Sequence, residues 1–191
     1  MKMITNQFVA VLCLFIMISL LLASFSQATR AAEHNITAEE PKLRAAIVLG
    51  ILRFTNWPED APLTNSLNLC TAGGPSSSAA LAEISSKRQF QNLPIVIYKL
   101  NSNSSDFSKC NVLVMGANVN SELLKNISDS EASHGVLTVC DNCKTSNENA
   151  MVYLVRVKNR IAFKIDLSQS SKNGMKFSSS LLELATEVVK D

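Results

Sequence analysis

Apolar residues run almost unbroken from Phe8 to Phe25, and beyond them apolar and polar positions alternate with the periods of helices and strands. The N-terminal run follows Lys2 and ends at Ser26-Gln27-Ala28, with small residues where a signal peptidase reads. Positive charge, apolar core and small-residue site in that order predict a secretory signal over residues 1–28, cleaved after Ala28. An uncleaved anchor is the alternative, since a bilayer span needs only about 20 apolar residues. Cys13 lacks the small residues that precede a lipoprotein cysteine, so no lipid anchor is read. Residues 29–38 are a polar, flexible leader.

Thr37 and Glu40 then stand at capping-box spacing, with Pro41 in the first turn. Leu43, Ala46, Ile47, Gly50, Ile51 and Phe54 follow the 3.6-residue period and predict an amphipathic helix that Pro58 stops. Leu67 to Thr71 reads as a short strand and Gly73-Gly74-Pro75 as a turn. Ser76 or Ser77 caps a second helix running to about Lys87. Pro94 to Leu100 is a strand, Asn101 to Lys109 a surface loop, Val112 to Met115 a buried strand and Ser121 to Ser128 a short helix. Val136 to Cys140 is a further strand, and Asp141 to Asn149 a polar loop. Met151–Val157 and Arg160–Leu167 alternate and are joined by Lys158-Asn159, which is a hairpin signal. Ser178 to Val189 places Leu181, Leu182, Ala185 and Val188 on one face of a closing helix. The fold class is α/β: a single domain over residues 39–191, with a mixed, mostly parallel sheet, an antiparallel C-terminal hairpin at its edge, and flanking helices.

Composition narrows the function. After residue 28 there remain 17 Lys and Arg against 16 Asp and Glu. With no basic block and no aromatic-rich basic stripe, nucleic acid is not an expected partner. Cys70, Cys110, Cys140 and Cys143 make an even count, which in an oxidising compartment reads as two disulfides. Three pairings are possible. Cys140 and Cys143 are close enough to pair locally, which leaves Cys70 with Cys110. Zinc on the four cysteines is disfavoured, because no second Cys-x-x-Cys exists and the chain is read as exported. No metal or cofactor is expected.

Catalytic patterns are sparse. There is no Gly-x-Ser-x-Gly nucleophile elbow. His34 lies in the leader and His134 stands before a strand with nothing nearby to form a triad. The amides after Ala72-Gly73-Gly74-Pro75 could face an anion at the start of the second helix. Pro75 removes one donor, and a plain strand-to-helix turn is the simpler reading. Cys140-Asp141-Asn142-Cys143 is the sharpest candidate. It is read as a structural staple, with a redox switch or a thiol oxidoreductase as alternatives. Trp57 reads as a core aromatic sealing a helix end, or else as an interface anchor.

Several segments resemble the YfiR/HmsC-like periplasmic regulators. Arg53-Phe54-Thr55-Asn56-Trp57-Pro58 is similar to that family's Phe-Thr-x-Trp-Pro signature. Lys109-Cys110-Asn111-Val112-Leu113-Val114 resembles its cysteine leading into a strand. Gly135 through Asp141 resembles its Val-Leu-Thr-Val-Ser-Asp segment, with Cys140 in place of Ser. Met151 through Asp166 resembles its Arg-x-Phe-x-Ile-Asn hairpin, with Asp166 in place of Asn. Gly174 through Ala185 resembles its Gly-Leu-x-Ile-Ser-Ser-x-Leu-Leu-x-Leu-Ala. Together these cover nearly all of residues 42–186.

The resemblance implies a periplasmic, non-enzymatic regulator that binds and represses the sensing domain of an inner-membrane diguanylate cyclase, lowering cyclic di-GMP and biofilm output. It also implies a homodimer and, in some systems, an outer-membrane peptidoglycan-binding lipoprotein as a second partner. The Cys70–Cys110 bond is what it implies as well, whereas Cys140–Cys143 departs from the family's wider spacing. A partner surface is expected at the end of the first helix (Arg53, Phe54, Trp57) and at the loop from Asp141 to Lys144. The alternative is a small-molecule or cell-wall sensor module acting on another receptor, such as a histidine kinase.

Overall fold

The structure is a computed structural model that describes residues 39–61, 63–101, 104–129, 131–143 and 149–190. The expected signal and leader, the capping Thr37 and the site residue Lys144 lie outside the described residues.

Helix α1 spans residues 39–52 and β1 Thr55–Asn56. Then come β2 Leu67–Ala72, α2 Ser78–Ser85, β3 Gln89–Phe90, β4 Leu93–Lys99, β5 Val112–Met115 and α3 Ser121–Ser128. The last third holds β6 Leu137–Asp141, β7 Val152–Val157, β8 Arg160–Asp166, α4 Leu167–Lys172, β9 Lys176–Phe177, α5 Ser179–Leu184 and β10 Glu187–Val189. Eight strands form one sheet in the order β10-β8-β7-β6-β5-β2-β4-β3. Only β7–β8 and β3–β4 are antiparallel within it. The architecture is the expected α/β one, with a mostly parallel sheet and a β7–β8 hairpin.

Alternation along the strands sorts side chains to two faces. Leu67, Leu69, Val112, Val114, Leu137 and Val139 join one core with Val48, Leu49, Ile51 and Leu52 of α1, Leu81 of α2 and Leu181 of α5. Cys70, Ala72, Leu113, Met115 and Cys140 join the other, with Leu123 and Ile127 of α3. Both faces are covered, so the central strands are buried at nearly every position, as parallel strands require.

Three expectations need correction. The apolar stripe that marks α1 in the sequence overlaps its buried face only at Ile51 and, half-buried, at Ile47. Leu43 is 46% and Phe54 39% exposed, Ala46 is exposed, and a Cβ on Gly50 would meet open space. The buried face is Arg44, Ala45, Val48, Leu49, Ile51 and Leu52. Residues 45–52 of the helix carry no polar side chain, so periodicity alone does not set its rotation; the buried partner of Arg44 does.

The closing helix is also shorter than expected. It ends at Leu184, and Ala185 turns to extended backbone (φ −69°, ψ 141°). Thr186 then bonds Phe163 O through both its N–H (2.9 Å) and its hydroxyl (3.0 Å). Glu187 to Val189 become a strand parallel to β8. The hairpin is therefore not at the edge of the sheet, because β10 lies outside it.

Finally, Asp166 ends β8 by capping α4, its carboxylate accepting from the Gln169 N–H at 3.0 Å. The helix it starts was not expected from the sequence.

Candidate functional site

Two patches were expected to face a partner, and the structure separates them. Arg44 lies near the start of α1 and Arg53 just past its end, nine residues on, which is about 13 Å of helix rise. The Asp141 patch joins the first of these positions and the Phe54 patch the second.

Asp141 is not a surface residue. It is 0% exposed at the end of β6. Its Oδ1 accepts from Arg44 Nη1 at 2.8 Å, and its Oδ2 accepts from the Ser77 N–H at 2.8 Å. The carboxylate thus ties β6 to α1 and to the N-cap residue of α2. The anion facing the amides after Gly73-Gly74-Pro75 is the protein's own Asp141. Among the described residues the crevice beyond the strand ends is tight at two points: a Cβ on Gly116 would overlap the Gly74–Pro75 backbone, and one on Gly73 would overlap Val119. That crevice is where open α/β sheets ordinarily bind ligands.

Cys140 bonds to Cys143 with Cα atoms 5.8 Å apart, across Asn142 in the left-handed conformation (φ 66°). Cys70 bonds to Cys110 with Cα atoms 5.7 Å apart, joining the β2 core to the approach to β5. Cys140 is buried and no helix starts at it, so the geometry that lowers a thiol pKa at a helix N-terminus is lacking.

At the other end of α1 the chain turns sharply. The Arg53 N–H donates to Gly50 O at 3.1 Å and the Phe54 N–H to Ile51 O at 3.0 Å. The Thr55 hydroxyl donates to Ile51 O at 2.9 Å, satisfying a helix-end carbonyl. β1 then pairs with β9, Thr55 opposite Phe177, and the Ser178 N–H donates to Phe54 O at 3.0 Å. This clamp holds Arg53 and Phe54 outward.

Trp57 does not join them at the surface. It is half-buried against the core, its Nε1 donates to Asn111 O at 3.4 Å, and its ring meets Phe90 edge-on at 5.6 Å. Trp57 therefore supports the surface from behind.

Phe90 links that support to a groove. The groove holds about 430 Å³ between the end of α1 and the corner from α2 to β4. Leu49, Leu52, Phe90 and Ile95 line it, with Arg53 and Arg88 beside them. The tight β3–β4 turn, with Gln91 and Asn92 at φ 49° and 67°, brings Phe90 back onto β4. Sequence reading passed over Arg88 and Phe90. The signal was Lys87-Arg88 ahead of a lone phenylalanine, but nothing local shows that this corner packs beside α1.

A family model for YfiR/HmsC-like proteins matches residues 41–186. The chain belongs to the YfiR/HmsC-like family. In this YfiR/HmsC-like protein the match runs from the first turn of α1 to the residue before β10, and so includes Arg44 and Arg53, both disulfides and the groove. No individually curated protein matches the chain.

Proposed function

We propose that this protein is an exported regulator that binds the periplasmic sensing domain of an inner-membrane diguanylate cyclase and holds it inactive. Membership of the YfiR/HmsC-like family over residues 41–186 carries this reading. Two disulfides agree with an oxidising compartment such as the periplasm. The exposed Phe54 and Arg53, held out by the β1–β9 clamp, are the contact surface, with Trp57 as its support. Repression needs no chemistry: a regulator that binds one state of the cyclase more tightly shifts the population to that state. The protein acts as a homodimer, and an outer-membrane peptidoglycan-binding lipoprotein removes it from the cyclase.

Deletion of the gene tests this directly. Cyclic di-GMP and surface attachment are expected to rise, and the tagged protein is expected to bring down a GGDEF-containing membrane protein. Unchanged cyclic di-GMP, with a histidine kinase recovered instead, would replace this reading with that of a sensor module.

A further inference from the structure

We propose that the groove between the end of α1 and the α2–β4 corner receives an extended segment of the partner that carries carboxylates beside an apolar side chain. The proposal rests on the repressor reading above and adds the chemistry of what is bound.

Three observations meet in this groove. The first is charge without a counter-charge. Arg53 and Arg88 are exposed, and among the described residues no ion pair engages either of them. Lys87, next to Arg88, has only Glu83 at 3.9 Å on the exposed face of α2, a separation at which a surface pair contributes little. The second is an apolar floor. Phe90, buried, and Ile95, half-buried, line the same groove as the two arginines, so a bound carboxylate would sit beside a low-dielectric wall. The third is continuity. A second recess of about 540 Å³ shares Arg88, Gln89 and Ile95 with the first and is lined by Ser85, whose buried hydroxyl has no hydrogen-bond partner among the described residues.

Arginine pairs best with a planar carboxylate, to which it donates two parallel N–H bonds. Two arginines flanking an apolar floor therefore fit acidic residues flanking an apolar one. A peptide fits better than a membrane surface. Anionic bilayers take up protruding apolar side chains ringed by cations, whereas Phe90 and Ile95 are recessed.

The test uses the full chain in cells that carry the cyclase, with Gln89 replaced by the photocrosslinking residue p-benzoylphenylalanine. Gln89 is exposed and lines both recesses. The expected adduct maps to a cyclase peptide with Asp or Glu close to the crosslinked residue. Reversing charge in Arg53→Glu/Arg88→Glu should cut its yield at least about tenfold, and an acid-to-arginine change in the cyclase segment should restore it. Both arginines are exposed, so the melting temperature should hold; Arg53→Gln/Arg88→Gln replaces the reversal if it does not, and should lower the yield in the same direction. An adduct indifferent to these changes, or one to lipid, to a second copy of the chain or to a peptide without acidic residues, overturns the proposal. If the wild-type protein still co-purifies with the cyclase while Gln89 gives no adduct, the groove assignment falls and the repressor reading stands. If no cyclase co-purifies and deletion leaves cyclic di-GMP unchanged, the repressor reading itself falls.

Discussion

Arg44 and Asp141 show how two charged residues settle the interior of this protein. Their side chains are 7% and 0% exposed and 2.8 Å apart. The Asp141 carboxylate accepts both the Arg44 guanidinium and the Ser77 N–H, and hydrogen bonds to a buried charge are costly to lose. Asp141→Asn is expected to destabilise the domain by about 1.5–3 kcal/mol, measured by urea denaturation. A loss below about 1 kcal/mol would mean that water or a neighbour compensates. His134 and Asp60 make a weaker link on the surface, 3.0 Å apart. The hydrogen bond from His134 holds the Asp60 carboxyl below its ordinary range. The folded-state pKa is thus below the unfolded one, so the stabilisation is present above about pH 4 and is lost as the pH falls through the folded value. The stability advantage of wild type over Asp60→Asn should therefore be small at neutral pH and vanish in acid, as read from melting temperatures across a pH series. An advantage that persists at pH 2 would rule out this origin.

At the scale of elements, local pattern and final structure agree where a segment has one way to be buried. Val112–Met115 and Ser121–Ser128 appear at the expected residues. Both strand faces of the first are interior, and Asn120 caps the second through the Leu123 N–H at 2.6 Å. They part at the C-terminus, where residues 186–189 are at most half-buried and burial does not decide between helix and strand. Leu181 and Leu182 suit a helix, but Thr186, Val188 and Val189 are β-branched and lie beside the open edge of β8. Thr186→Pro removes the N–H that donates to Phe163 O. It should release β10 at a cost of about 1–2 kcal/mol, visible as faster hydrogen exchange in residues 187–189 with the central strands unaffected. Exchange that spreads into β5 and β6 would show that β10 supports the whole sheet.

On the scale of the whole molecule, Cys70–Cys110 closes a separation of 40 residues, across the β2–α2–β4 crossover. Replacing both cysteines by alanine should cost about 4 kcal/mol in the chain-entropy model, measured by denaturation of the purified protein. A much smaller loss would point to residual structure in the unfolded chain. The same crossover carries Arg88 and Phe90 from α2 to a position beside Arg53, 35 residues earlier in the chain. The groove thus depends on the folded sheet and on no local motif.

The sequence by itself determined the α/β class, the alternation that buries the central strands, the β7–β8 hairpin and the family, because these follow from local periods and short motifs. It also marked Arg53 and Phe54 as a place to look. Tertiary structure alone decided which side of α1 is buried, because a helix apolar on two faces is oriented by what it meets, here the Asp141 carboxylate that draws Arg44 inward. For the same reason Asp141 moved from an expected surface to the interior, and of the two readings of Trp57 the structure favours the core aromatic, edge-on to Phe90. The pairing of Arg53 with Arg88 across one groove is a long-range juxtaposition, set by the order of strands in the sheet.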